Sequence, residues 1–174
     1  MQKIFAISGS TRKKSSSKAL LRYVAEQFSN LIELELFNDL DQLPHFNPDL
    51  DGDNPPQAII DFRTKIEAAD GIIVCTPEYV FSLPGSLKNA IEWLVSTTLL
   101  SEKPVALIVA AASGQKAFEA LNLIMTTLEV LVEPESKLLI QGVKGKINDL
   151  GQLTDQPTKE EVKKTIQSLL NSIK

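Results

Sequence analysis

Five short apolar runs, each followed by a longer stretch with helical spacing, recur along this chain of 174 residues. The runs are about Lys3 to Ser8, Ile32 to Phe37, Gly71 to Thr76, Pro104 to Ala110 and Lys137 to Gln141. Between them, apolar residues return every three or four positions, as one face of a helix requires. Leu20, Leu21, Val24 and Phe28 predict a helix from near Ser15 to Phe28, and Ile59, Phe62 and Ile66 a second from Pro55-Pro56-Gln57 to Ala69. A third is expected from an N-cap at Ser86 through Leu94, a fourth from about Lys116 to Val132, and a last from about Lys159 to Ile173. Strict alternation of strand and helix implies an α/β domain: a doubly wound five-stranded parallel sheet with helices on both faces. Gly71 to Thr76 and Pro104 to Ala110 are apolar throughout and belong at its centre, whereas Ile32 to Phe37 alternates with Glu33 and Glu35, as at an edge.

The chain is long enough for one domain with a substantial core, expected over residues 1–174. A net charge of -4 argues against a general affinity for nucleic acid or anionic membrane. The single cysteine, Cys75, fits a reducing, cytoplasmic compartment and reads as a small buried hydrophobe. No secretory leader or membrane-spanning run is expected. His45 is the only histidine, and Asp39, Asp41, Asp49, Asp51 and Asp53 lack the spacing of a calcium loop, so no metal site is expected and these acids read as a solvated loop.

The first inter-element loop, SGSTRKKSSSKAL from Ser8 to Leu20, carries the first chemistry. A turn glycine, clustered hydroxyls, one arginine and a helix start can hold a phosphate through free amides and the helix dipole. Ser10, Arg12, Ser15, Ser16 and Ser17 are the donors. Lys14 stands where a nucleotide-triphosphate loop needs its second glycine, and Thr11 and Lys14 replace the further glycines of a dinucleotide fingerprint. A terminal monophosphate such as that of a mononucleotide suits what remains. The serines read equally well as ordinary helix caps. In the flavodoxin-like strand order the winding reverses between strands one and three, so this loop and the Pro77–Gly85 loop should meet at one crevice.

The Thr76–Trp93 stretch, TPEYVFSLPGSLKNAIEW, resembles the signature of the NADPH-dependent FMN reductase family, flavodoxin-like quinone, azo-dye and chromate reductases. GSTRKKS at Gly9 to Ser15 resembles that family's first loop, and LPHFNPDLD at Leu43 to Asp51 its linking segment. The resemblance implies that Ser10, Arg12, Ser15 and Ser17 hold the FMN phosphate. Pro77, Glu78, Tyr79 and Val80 would then line the isoalloxazine, largely through backbone amides. Ser113 and Gly114 belong to the third loop, which flanks the ring. Val80 departs from the family's usual Asn, so any Asn side-chain role is lost.

The implied activity is ping-pong hydride transfer through bound FMN, from NADPH or NADH to quinones, free flavin or similar small aromatic electron acceptors. No catalytic acid, base or nucleophile is needed from the protein. The alternative is a flavodoxin-type FMN electron carrier that does not oxidise NAD(P)H; a cofactor-free descendant of the fold is a third reading. Tyr79 or Phe81 could border the ring, or pack in the core or a subunit interface, the second being expected for Phe81. Trp93 and the broadly apolar fourth helix point to a homodimer or homotetramer. Lys13, Lys14 and Lys18 read equally as surface charges or as attractors for the nucleotide's phosphates.

Overall fold

The computed structural model describes residues 1–174. Its strands are β1 (Gln2–Ser8), β2 (Ile32–Phe37), β3 (Gly71–Thr76), β4 (Val105–Ala110) and β5 (Lys137–Ile140). They form one parallel sheet in the order β2-β1-β3-β4-β5. The helices are α1 (Ser16–Gln27), α2 (Gln57–Ala68), α3 (Gly85–Glu92), α4 (Gln115–Thr127) and α5 (Gln156–Ser172). None is long and apolar enough to cross a membrane.

Two apolar cores lie on opposite faces of the sheet. Helices α1 and α5 cover one, through Leu20, Leu21, Val24, Ile166 and Leu169. Helices α2, α3 and α4 cover the other, through Phe62, Ile66, Leu87, Leu121 and Met125. β3 and β4 are buried at every residue, which explains their unbroken apolar runs. Each fully buried Ile or Phe on α2 contributes about 2 kcal/mol by leaving water, enough to hold a helix that carries no side-chain cap.

Several helix ends differ from the sequence expectation. α3 begins at Gly85 with Pro84, not Ser86, in the cap position. α4 stops at Thr127 rather than Val132, because Glu129 takes a left-handed conformation (φ 56°) and Val130 N–H turns back to the Met125 carbonyl at 3.3 Å. α5 starts at Gln156, before Lys159: Asp155 caps it and Pro157 pre-sets its first turn.

The long segment between β2 and α2 is pinned rather than loose. Asn89 Nδ2 and Trp93 Nε1 both donate to the Pro44 carbonyl, at 2.9 and 2.8 Å, while Phe46 N–H donates to Asn89 Oδ1 at 2.8 Å. Phe46 meets the Trp93 ring edge-to-face with centroids 5.1 Å apart. Trp93 is fully buried beneath this segment, so it offers nothing to a subunit interface, contrary to expectation. Asp51 also departs from the solvated-loop reading. Its carboxylate, 5 % exposed, pairs with Arg63 at 2.7 Å and accepts Ser96 Oγ–H at 2.6 Å.

Candidate functional site

Because β1 and β3 are neighbours, the loops leaving their carboxyl ends start side by side, with Ser8 registered against Cys75. Gly9 N–H donates to the Cys75 carbonyl at 2.8 Å, and a Cβ at Gly9 would lie 2.3 Å from Thr76 Oγ1. Only glycine permits this approach. Ser10 Oγ then lies 3.5 Å from the Tyr79 hydroxyl, so the two loops meet.

The first loop presents unused donors. Ser15 caps α1 by accepting Lys18 N–H at 3.2 Å. The amides of Lys13, Lys14, Ser15, Ser16 and Ser17 find no acceptor in the protein. Ser17 Oγ is buried and likewise unpaired. It faces the Cys75 thiol, a weak partner that offsets little of the burial pushing that thiol up to about 12. An orphaned buried hydroxyl beside a fan of free amides at a helix start fits a phosphate. Ser10 is buried on this loop and Arg12 exposed at its tip.

The second loop is braced by its own acid. Glu78 Oε1 accepts Gly114 N–H at 3.2 Å and Glu78 Oε2 accepts Ala117 N–H at 3.0 Å. The carboxylate thereby caps α4, whose own cap position is a glycine at φ 86°. A Cβ on Gly114 would come within 2.8 Å of Leu139 Cδ1. The Glu78 side chain is thus committed to the third loop. The backbone amides of Glu78, Val80, Ala112 and Ser113 remain unpaired and available to a ligand with carbonyl and ring-nitrogen edges.

Tyr79 and Ser82 exchange both backbone hydrogen bonds, at 2.9 and 3.0 Å, around Val80 and Phe81. Both central residues are left-handed, at φ 50° and 56°, a turn that glycine and asparagine favour. Val80 is 95 % exposed and Phe81 77 % exposed, so Phe81 does not pack in the core. Tyr79 is partly exposed beside the first loop, and Pro77 half-buried at the end of β3. The three loops form an open shelf over the carboxyl ends of β1, β3 and β4. A cleft of about 430 Å³ between Asp70, Glu129 and Lys174 lies at the opposite ends of the strands, away from every one of these groups.

Sequence reasoning located the three loops but not the Glu78 cap, the Asn89 and Trp93 clamp or the Asp51–Arg63 pair. Only the clamp left a signal, since Asn89 and Trp93 stand four apart on one helix face with polar ends.

The sequence model of the NADPH-dependent FMN reductase family matches residues 2–145. An NAD(P)H-dependent FMN reductase of Pseudomonas aeruginosa is 32% identical, over 96% of this chain and 92% of that protein. An NADPH:quinone oxidoreductase of Arabidopsis thaliana is 32% identical, over 96% and 89%. Among solved structures, the flavoenzyme NAD(P)H:(acceptor) oxidoreductase FerB from Paracoccus denitrificans superposes with a TM-score of 0.86 at 24% identity, covering 99% of this chain and 97% of that one, a likeness of fold. With a phosphate-ready turn meeting a braced second loop at the reversal of winding, and with these matches spanning nearly its whole length, the chain belongs to the NADPH-dependent FMN reductase family.

Proposed function

We propose that this protein is an NAD(P)H oxidoreductase that uses FMN on the shelf of three loops to reduce quinones, free flavin or similar aromatic acceptors. The observation that carries this reading is the meeting of Ser10 and Tyr79, which makes one continuous site of the phosphate-ready loop and the ring-side loop. Ser10, Ser15, Ser17 and Arg12 would hold the phosphate, with the free amides of Lys13 to Ser17. Backbone groups of Pro77, Glu78, Tyr79 and Val80, with Ser113 and Gly114, would border the ring. Bound there, FMN supplies hydride transfer in two half-reactions, from nicotinamide and then to the acceptor.

The protein's own work is placement. Glu78 fixes the distance between the second and third loops, and the Asn89–Trp93 clamp fixes α3 beneath them. The solvent-facing side of the shelf, where Tyr79 and Val80 are exposed, leaves room for a planar substrate over a bound ring. The exposed Val80, Phe81 and Leu123 side chains support a homodimer or homotetramer in which they are covered. The unpaired Cys75 thiol supports a cytoplasmic location.

Steady-state turnover of FMN-loaded protein, varying NADPH against a soluble benzoquinone, tests the reading. Parallel double-reciprocal lines are expected, because donor and acceptor use the same shelf in turn. Intersecting lines, or no turnover, would contradict it.

A further inference from the structure

Ser17 is a polar residue in an apolar stripe. With Leu20, Leu21 and Val24 it forms the face of α1 turned to the sheet, and all four are at most 1 % exposed. Cys75 approaches it from the sheet. Side chains alternate along β3, so Ile72 and Val74 enter the core under α2, α3 and α4, while Ile73 and Cys75 enter the core under α1 and α5. Cys75 thereby faces the first turn of α1 with its thiol, and its carbonyl accepts the Gly9 amide at 2.8 Å where the first loop begins.

A buried hydroxyl without a hydrogen bond is unfavourable, and an alanine at position 17 would occupy the same place without that cost. A phosphate dianion only accepts, so it would take the single hydrogen of the Ser17 hydroxyl and leave the oxygen as a buried acceptor. The group placed to donate to that oxygen is the thiol that faces it. Burial pushes this thiol up to about 12, against the lowering effect of the Ser17 hydroxyl, so it keeps its hydrogen at any working pH. A valine or alanine at position 75 would suit the core and supply no donor.

We infer that Cys75 is a positioning residue for the cofactor phosphate: its S–H donates to Ser17 Oγ and so turns the Ser17 O–H toward the phosphate of FMN. The inference rests on the FMN-dependent reading above and adds to that site a side chain beneath it. With the directions reversed, the Ser17 O–H would donate to sulfur and show an anion only lone pairs. In the inferred direction the two bonds support each other, because a hydroxyl that donates to an anion becomes a better acceptor for the thiol.

Cys75 is the only cysteine in the chain, so its S–H stretching band in the infrared belongs to one residue and tests the inference in the parent protein. FMN should move that band to lower frequency, riboflavin, which lacks the phosphate, should leave it in place, and S17A should abolish the shift. Affinities read by flavin fluorescence quenching give the second arm. C75A should weaken FMN about fivefold, the scale of one neutral hydrogen bond, without changing riboflavin affinity, and C75S, which restores a donor, should recover most of the loss. A band that FMN does not move, equal effects of C75A on FMN and riboflavin, or a C75S variant as weak as C75A would each overturn the proposal. Bound FMN that neither NADPH nor NADH reduces would overturn the oxidoreductase reading and leave the thiol result standing, whereas a protein that takes up no FMN would overturn both.

Discussion

Glu78 ties the second loop of the site to the third by accepting the Gly114 amide at 3.2 Å. Its other oxygen takes Ala117 N–H, so one carboxylate caps α4 and sets the separation of two loops that border the shelf. In E78Q the amide nitrogen would replace one acceptor with a donor facing a donor. A stability loss of about 1–2 kcal/mol is expected from the unsatisfied amide. FMN affinity should fall with it, read by flavin fluorescence quenching beside thermal melts.

Ser15 and Ser17 separate helix capping from phosphate binding. Ser15 makes the cap bond to Lys18 N–H, so S15A should cost about 1 kcal/mol in the unliganded protein. Ser17 Oγ has only the Cys75 thiol, a weak partner, beside it in the protein, so S17A should change the unliganded melting temperature little. FMN binding should weaken in S17A all the same. A variant that binds FMN as tightly as the parent would remove Ser17 from the phosphate site.

The Val80–Phe81 turn stores strain. A β-branched residue at φ 50° is disfavoured by roughly 1 kcal/mol or more, and asparagine tolerates that region far better. V80N should therefore raise the melting temperature while FMN still binds through the backbone. Destabilisation by V80N would show that the Val80 side chain has a partner, as in a covered subunit interface.

Acid should release the segment between β2 and α2. Burial of the Asp51 carboxyl tends to raise its pKa, but hydrogen bonds from Ser96 and Arg63 and the guanidinium charge outweigh it and hold the group below its ordinary 3.8. The stabilisation is thus present above the ordinary carboxylate range and lost as pH falls through the lowered value. D51N should cost about 2 kcal/mol near neutrality, and the gap from the parent should close in acid. Chemical denaturation across a pH series measures it; a gap constant with pH would contradict the assignment.

The sheet was legible because β3 and β4 are buried on both faces and β2 on one, so burial wrote itself into the residue pattern. The site's position followed from strand order together with the residues of two loops. What stayed hidden was decided by contacts distant in sequence. Trp93 looks like an exposed anchor until Pro44 and Phe46 close over it, and Glu78 looks like a ring-side group until Gly114 and Ala117 take its oxygens. The left-handed turn at Val80 and Phe81 was illegible because neither residue carries the glycine or asparagine signal of such turns. Helix ends moved by a few residues where Asp155 capped α5 earlier than apolar spacing implied and where left-handed Glu129 closed α4 early.

Anaerobic mixing of FMN-loaded protein with NADPH tests the central claim most directly. The account predicts that the protein takes up FMN, that NADPH bleaches the yellow absorption promptly, and that added quinone restores it. A protein that takes up no FMN, or whose bound flavin stays yellow under excess NADPH and NADH, would contradict it.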